Sequence, residues 1–375
     1  MLEQILAGVQ ALTIKQVGMF LIGGILIYLA IKKEYEPMLL LPMGFGAILA
    51  NIPVIPGVLG ITSDGGVLGI LKNAGILTEL FPALIFIGVG AMVDFTPLLK
   101  MPSMLFFGAA AQFGIFFTLF VAILLGFDIN DAASIGIIGA ADGPTSILVS
   151  SQYSPKYFGA ISVAAYSYMA LVPIIQPRVI KLVTTEKERK IRMDYKEVQI
   201  SKTVKVLFPI VVTILAGIIA PMSVTLIGLL MFGNLIRECG VVDKLSKAAQ
   251  NELNNVVTIL LGITIGSTMT AEGFLQLDTL LILVLGLVAF IFDTAGGVIF
   301  AKILNLFVKE KYNPMIGAAG ISAFPMSSRT VQKMAKEADP QNFILMQAVS
   351  ANVSGQIGSI LAGSVILVLL AQGGF

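Results

Sequence analysis

An aspartate interrupts an apolar stretch near the middle of the chain, at a point rich in helix-breaking residues. The stretch runs from Ile135 to Ile147 and reads "IGIIGAADGPTSI", with Asp142 as its only acid. Glycine costs about 1 kcal/mol and proline about 3 kcal/mol in a helix interior, so Gly143 and Pro144 predict a break in the helix. A break frees backbone carbonyls and amides beside the carboxylate, as in transporters that bind ions near the bilayer midplane.

Oxygen-bearing side chains near such a break would suit a bound cation. Thr145 and Ser146 follow the aspartate, and Asn352 and Ser354 lie in a second stretch rich in glycine and serine. A carboxylate at the bilayer centre costs at least about 2.5 kcal/mol, which makes Asp142 a candidate functional group. Hydroxyl, amide and carbonyl oxygens are hard ligands, so this setting favours a metal cation over a proton. The alternative is a protonated or arginine-paired aspartate that only joins helices.

Three other charged residues lie in apolar surroundings. Asp94 and Asp293 lack a comparable set of oxygen atoms, so they fit helix-end or packing groups better than ligands. Arg329, in "PMSSRT", has two open interpretations. Its side chain can extend to the membrane interface, or its planar guanidinium can hold a carboxylate-bearing ligand.

The composition shows in what kind of structure these groups are placed. Of the 375 residues, 57% are hydrophobic and only 12% are charged, which indicates an all-α polytopic membrane protein. The chain has one cysteine, Cys239, and no histidine, so it lacks an internal disulfide, a cysteine-rich metal cluster and the usual general base. Its formal net charge of +2 and the absence of a basic stripe exclude nucleic acid as an expected partner.

Hydropathy and charge divide the chain around one charged connector. We expect about ten or eleven membrane segments, several of them short or broken. The connector, residues 178–205, carries nine of the 24 lysine and arginine residues, which predicts a cytoplasmic position. It is either a solvated hinge or a docking surface for a soluble partner. The predicted divisions are an N-terminal amphipathic or first membrane element at 1–36, membrane repeats at 37–177 and 206–375, and the connector between them.

The two halves resemble each other. "IGIIGAADGPTS" from Ile135 and "IGAAGISAFPMS" from Ile316 share the frame IGxxGxxxxPxS, with Ala323 in the place of Asp142. An odd number of crossings in each copy predicts an inverted-repeat, transporter-like fold with discontinuous helices, and we expect five in each copy plus an N-terminal element. The orientation of the termini stays open, because Lys32 follows the first span and fits poorly outside the cell if the N-terminus is cytoplasmic.

Several separated motifs, in order, resemble one family along essentially the whole chain. They are "YLAIKKEYEPMLLLPMGFGAILANIP", "GAADGPTSI", "YSYMALVPIIQP", "TTEKERKIRM", "NPMIGAAGISAFPMSSR" and "DPQNFILMQAVSANVSGQIGS". The chain is similar to the β-subunit of the biotin-dependent, sodium-translocating decarboxylases, which act on oxaloacetate, methylmalonyl-CoA or glutaconyl-CoA.

The resemblance implies a translocase subunit of the bacterial inner membrane. It would decarboxylate carboxybiotin and couple that reaction to Na⁺ export with consumption of a proton. The implied partners are a carboxyltransferase α-subunit, a biotin carrier subunit and a small membrane-anchoring subunit, with homo-oligomerisation expected. Biotin would arrive on a partner, since this chain contains no A-M-K-M-like attachment segment.

The resemblance also implies roles for individual residues. As catalytic groups it gives Asp142, Tyr168 and Arg329; for carboxybiotin, Arg329, Ser322, Asn313 and Gly317; and for Na⁺, Asp142, Asn352, Asn313 and Ser322. The main alternative is a secondary Na⁺-coupled organic-anion transporter without catalysis, and a membrane scaffold without an ion site is a third possibility. The acyl substrate would bind another subunit, with a slight preference for the acyl-CoA branch.

Overall fold

The computed structural model describes residues 8, 10–54, 59–194, 198–219 and 221–371. Residues 1–7 and 9 of the predicted N-terminal element lie outside this part. The described residues form helices and no strands. Up to the connector, the helices are α1 (Ile14–Lys33), α2 (Pro37–Ala50), α3 (Val67–Leu71), α4 (Leu80–Met92), α5 (Thr96–Lys100), α6 (Leu105–Ala110), α7 (Phe113–Leu124), α8 (Ile129–Gly136), α9 (Gly143–Tyr153) and α10 (Phe158–Val183).

The second half repeats this pattern of long helices and short interrupted ones. Its helices, with the short one in the connector, are α11 (Glu186–Arg189), α12 (Lys202–Ile219), α13 (Val224–Cys239), α14 (Asp243–Ala248), α15 (Asn254–Ser267), α16 (Ala271–Phe274), α17 (Leu277–Phe307), α18 (Met315–Ala318), α19 (Met326–Ala338) and α20 (Leu345–Ala371). A π-helical turn joins α14 to α15, so these two form one continuous run.

The lengths of the helices confirm a polytopic membrane protein. Among the described residues, six helices are long and apolar enough to cross a membrane, and a bent pair, α3 with α4, brings the number to seven. The predicted ten or eleven crossings exceed this number, and we expect α2, α12 and the run through α15 to supply the remaining ones. A bilayer core of about 30 Å needs about 20 helical residues, so the shorter helices depend on neighbouring protein for cover.

Contacts between helix ends define the two faces of the membrane domain. Lys302, near the end of α17, donates to the carbonyl of Val183 at 3.1 Å, and Lys205 pairs with Glu238 at 3.8 Å. These residues adjoin the connector, and we call this side the connector face. On the other side, which we call the opposite face, the Asn51 amide donates to the carbonyl of Met269 at 2.7 Å.

This arrangement explains the position of the early lysines. Helix α2 ends at Asn51 on the opposite face, so the turn before it, with Lys32 and Lys33, lies on the connector face. The lysines of this turn therefore lie on the same side as the basic connector, as expected for cytoplasmic loops. The described end of α1 nearest the N-terminus then lies on the opposite face.

The two broken segments turn back on themselves instead of crossing the membrane. In hairpin 1, residues 129–153, the legs α8 and α9 meet at their base, where Ser154 donates to the Asp131 carboxylate at 2.5 Å. In hairpin 2, residues 313–342, the two ends lie together at the connector, because Asn313 and Asn342 donate to the same carbonyls. Hairpin 1 enters from the opposite face and hairpin 2 from the connector face.

The helices form two packed groups. One, the scaffold, consists of α1, α2, α4, α12, α13 and α15, and the other, the core, consists of α7, α10, α17, α20 and both hairpins. Each side of the connector supplies three scaffold helices, two long core helices and one hairpin. We infer that each repeat makes five crossings, which gives the two copies opposite orientations. This count includes α1 in the first repeat, whereas the sequence assigned residues 1–36 to a separate N-terminal element.

Candidate functional site

The tips of the two hairpins meet inside the core. The backbone N–H of Ser322, in hairpin 2, donates to the carbonyl of Ala140, in hairpin 1, at 3.0 Å. The Asn352 amide, on α20, donates to the carbonyl of Ile321 at 2.7 Å. The helices of both hairpins are interrupted at their tips. The backbone groups that are free there form hydrogen bonds between the two repeats instead of along a helix.

Asp142 begins the second leg of hairpin 1. It is the N-cap of α9, and Ala141 before it has a left-handed φ of 51°. The carboxylate accepts hydrogen bonds from the Thr145 backbone N–H at 3.4 Å and from the Thr145 hydroxyl at 2.8 Å. An acid at a helix N-terminus also interacts favourably with the helix dipole. The local sequence therefore fixes the direction in which this carboxylate points.

The second repeat completes the surroundings of the carboxylate. The Ser359 hydroxyl, on α20, donates to Asp142 at 2.7 Å and lies 3.2 Å from the Ser322 hydroxyl. We call Asp142, Thr145, Ser322 and Ser359 the carboxylate cluster. All four side chains are buried. Their oxygen atoms are of the kind that a hard cation binds.

No lysine or arginine of the described residues pairs with Asp142. Among the described residues, none of the salt bridges includes Asp142. Its carboxylate contacts hydroxyls and an amide, which argues against the arginine-paired interpretation. Hydroxyl groups serve either as donors to a carboxylate or as ligands to a cation, because each has both an O–H and free lone pairs.

A cavity of about 200 Å³ connects the carboxylate cluster with the connector face. Its walls include Asp142, Ser322 and Tyr166 at the inner end and Glu36 and Asn254 at the outer end. Burial raises the pKa of Glu36, which lies in the turn between α1 and α2. Among the described residues that line the cavity, the charged side chains are those of Glu36 and Asp142.

Of the predicted ion ligands, Ser322 lies in the carboxylate cluster. The Asn352 amide donates to the carbonyl of Ile321, the residue directly before Ser322. The Asn352 side chain is fully buried, and its carbonyl oxygen has no hydrogen-bond partner. Asn313 lies elsewhere, at the base of hairpin 2, where its amide donates to two connector carbonyls. No described hydrogen bond joins Asn313 to the carboxylate cluster.

The remaining predicted residues are distributed around the site. Tyr168 donates its hydroxyl to the carbonyl of Leu283 on α17. Gly317 packs against α17, where an added Cβ would lie 1.9 Å from the carbonyl oxygen of Gly297. Arg329 is exposed on α19 and lines a shallow groove on the connector face. None of the three makes a described hydrogen bond to the cluster.

Three residues at the site escaped the sequence analysis. Ser359 contacts the carboxylate, and Gln356 donates to the carbonyl of Ser322. Tyr166 lies beside the tip of hairpin 1, since a Cβ on Gly143 would be 2.1 Å from its ring. The spacing of Asn352, Gln356 and Ser359 is i, i+4, i+7, which places them on one helix face, and this pattern could have identified two of the three.

The two other acids have packing roles, as the sequence suggested. Asp94 follows α4, accepts from the Thr96 N–H at 2.9 Å and pairs with Arg237 at 3.8 Å. Asp293 is fully buried on α17 and accepts from the Ile115 N–H, at the start of α7, at 3.2 Å. Asp94 lies just after the end of α4, and Asp293, in the middle of α17, meets the N-terminus of α7, where free N–H groups are available.

Comparisons with known proteins give consistent matches to one family. A profile of the family described as the Na⁺-transporting oxaloacetate decarboxylase beta subunit matches residues 15–370. The methylmalonyl-CoA decarboxylase subunit beta of Propionigenium modestum is 49% identical over 382 residues, covering 96% of each chain. The glutaconyl-CoA decarboxylase subunit beta of Acidaminococcus fermentans is 50% identical, covering 97% of this chain and 96% of that one. The oxaloacetate decarboxylase beta chain of Klebsiella pneumoniae is 44% identical, covering 98% of this chain and 99% of that one.

Proposed function

The chain belongs to the β-subunit family of the Na⁺-transporting decarboxylases, and from this premise we propose that Asp142 binds the Na⁺ that the pump exports. The protein is a multi-pass subunit of a decarboxylase sodium pump in the bacterial inner membrane. Membership of this family favours the pump over a transporter without catalysis.

The carboxylate cluster is the observation that carries the proposal. Asp142 supplies the negative charge, and the hydroxyls of Thr145, Ser322 and Ser359 supply neutral oxygens from both repeats. A carboxylate with hydroxyl and carbonyl oxygens suits Na⁺, which is a hard cation. The unpartnered carbonyl oxygen of Asn352 adds a further candidate ligand on the same helix as Ser359.

The cavity gives Na⁺ a path to the cluster from one side. It leads from Glu36, on the connector face, to Asp142. The basic connector and the Lys32 turn assign that face to the cytoplasm. The conformation therefore corresponds to the stage at which Na⁺ enters from the cytoplasm, while the tips of the hairpins separate the site from the opposite face.

Carboxybiotin on a partner subunit would supply a carboxylate that leaves as CO₂ when the biotin nitrogen takes up a proton. The chain's own contribution is to bind and orient that group near the cluster, through the amides of Asn254 and Gln356 and the hydroxyl of Thr258, which all line the cavity. Arg329 would guide the incoming anion at the surface. Export of one charge against 100 mV costs about 2.3 kcal/mol, which the decarboxylation must exceed.

The family implies other subunits, because a β-subunit works in a multi-subunit complex. We propose the carboxyltransferase, the biotin carrier and the small membrane anchor as these partners, and homo-oligomerisation of the membrane part. The relatives that act on acyl-CoA substrates are 49–50% identical and those on oxaloacetate 43–44%, which favours an acyl-CoA substrate for the complex.

The test is ²²Na⁺ uptake by inverted membrane vesicles that hold the complete complex and are supplied with acyl substrate. We expect uptake that depends on decarboxylation in the wild type, loss of uptake in D142N, and normal uptake in D243N. Asp243 is a suitable control because it is exposed at the start of α14. Normal uptake in D142N would contradict the assignment of the ion site, and failure to co-purify with a biotinylated subunit would contradict the pump itself.

A further inference from the structure

A segment of the connector lies across the base of hairpin 2. We call residues 189–194 the strap. The Asn313 amide, at the start of the hairpin, donates to the carbonyls of Arg189 at 2.9 Å and Ile191 at 2.8 Å. The Asn342 amide, just after the other leg, donates to the same two carbonyls at 3.2 Å and 3.1 Å. The strap therefore joins the two ends of the hairpin through one pair of backbone oxygens.

Further contacts anchor the strap on both sides of the hairpin. Arg192 pairs with Asp339 at 2.7 Å, directly after α19. The backbone N–H of Asn313 donates to the sulfur of Met193 at 3.3 Å, and the Gln347 amide donates to the Met193 carbonyl at 3.3 Å. Both ends of the hairpin and the start of α20 thus share this segment.

Hairpin 1 is closed differently. Its legs meet directly, through the Ser154 hydroxyl and the Asp131 carboxylate. In hairpin 2, the two asparagines that take the corresponding position at the base are fully buried and bond to the strap. Only hairpin 2 is therefore held closed by a segment from outside the hairpin.

We propose that Asn313 and Asn342 are paired positioning residues, which close hairpin 2 on the strap and thereby fix its tip at the carboxylate cluster. Helix α19 has 13 residues and spans about 20 Å from the tip to the base. A shift of this rigid helix at its base moves Ser322 at the tip. Direct hydrogen-bond partners of metal ligands commonly change affinity 10- to 100-fold, and from residues about 20 Å away we expect an effect at the lower end of that range.

The proposal gives Asn313 a role different from that of an ion ligand. If Asn313 were an ion ligand, its replacement would weaken Na⁺ binding, whereas replacement of Asn342 would not. A closure that joins two legs needs both asparagines, so each single replacement should have the full effect. The effects of N313A, N342A and the double variant on Na⁺ affinity should therefore be equal.

The first experiment measures decarboxylation by the complete complex as a function of Na⁺ concentration, and it rests on the proposed pump. We expect N342A, N313A and the double variant to raise the half-saturating Na⁺ concentration by the same factor, roughly tenfold. The control is N251A, since the exposed Asn251 amide bonds only within its own helical run, to Lys247. Unchanged Na⁺ dependence in N342A, with a loss in N313A, would overturn the proposal.

The second experiment does not depend on activity. Trypsin should cut the exposed strap after Lys190 and Arg192, and the cleavage rate of the assembled complex reports whether the strap is attached. Each single variant leaves the strap bonded to one leg, so we expect little change, whereas the double variant should be cut about tenfold faster. If N342A does not assemble, N342D replaces it, because aspartate has the size of asparagine but lacks the amide N–H donor. Equal cleavage of wild type and double variant would overturn the strap even if D142N confirms the ion site.

Discussion

Replacement of Ser359 by alanine tests the carboxylate cluster at the residue that only the tertiary structure revealed. The Ser359 hydroxyl lies 2.7 Å from the Asp142 carboxylate and 3.2 Å from the Ser322 hydroxyl. A hydrogen bond to a charged group contributes about 1.5–3 kcal/mol, and each 1.4 kcal/mol is a factor of ten. The half-saturating Na⁺ concentration should therefore rise about 10- to 100-fold in S359A.

The control for this prediction lies on the same helix. Ser364 is also buried, but its hydroxyl donates at 2.8 Å to the carbonyl of Ile360 within α20. S364A should keep the wild-type Na⁺ dependence of decarboxylation and of ²²Na⁺ uptake. If S359A and S364A give the same half-saturating concentration as wild type, Ser359 does not contact the transported ion and the cluster is not its binding site.

Other regions of the chain give separate expectations. G317A should lower the free energy of unfolding by about 1–3 kcal/mol, because its Cβ would lie 1.9 Å from a carbonyl oxygen of α17. The control G24A should leave the free energy of unfolding unchanged, because a Cβ at Gly24 would have no atom within 4 Å. Thermal unfolding of the solubilised subunit measures both variants. A stable G317A that no longer binds carboxybiotin would instead support a ligand role for Gly317. Because the Arg192 hydrogen bond lowers the pKa of Asp339, this pair is intact above pH about 4 and is lost as the pH falls further, so hydrogen-exchange protection of the strap should fall on acidification. The D339N variant should remove that pH dependence, and protection that is constant with pH in the wild type would contradict the pairing. R329Q should raise the carrier concentration for half-maximal turnover about tenfold without changing Na⁺ affinity, since Arg329 is exposed on the connector face; a changed Na⁺ affinity would refute its assignment to the surface.

The position of the helix breaks could be predicted because their causes are local. Gly143 and Pro144 weaken the helix wherever it packs, and Asp142 caps the helix that follows. The same local reasoning predicts the break in the second copy of the frame, where Ala323 stands in the place of Asp142. The spacing predicted interrupted helices but not their direction, because a break lets the chain either continue across the membrane or return. Contacts at the bases of the hairpins, such as that of Ser154 with Asp131, show that the chain returns to the face from which it entered.

Two neighbouring tyrosines, of which only Tyr168 had a predicted role, show the limit of sequence reasoning. Tyr168 and Tyr166 are two positions apart on α10, and only Tyr166 lies beside the tip that carries Asp142. Two residues correspond to about 200° around a helix, so the two rings point in nearly opposite directions. Which of the two faces the tip depends on the rotation of α10, and packing against α17 sets this rotation.

The sequence by itself determined the class of protein, the duplication and the charged half-site. Each of these follows from composition, from the repeated frame or from the backbone preferences of a few residues. Only the tertiary structure decided which oxygens surround Asp142 and what holds hairpin 2 closed. Ser359 is 217 residues from Asp142, and Asn313 bonds to a connector more than a hundred residues earlier. Such contacts depend on how whole helices pack, and each polar group bonds to whichever buried partner that packing brings within reach.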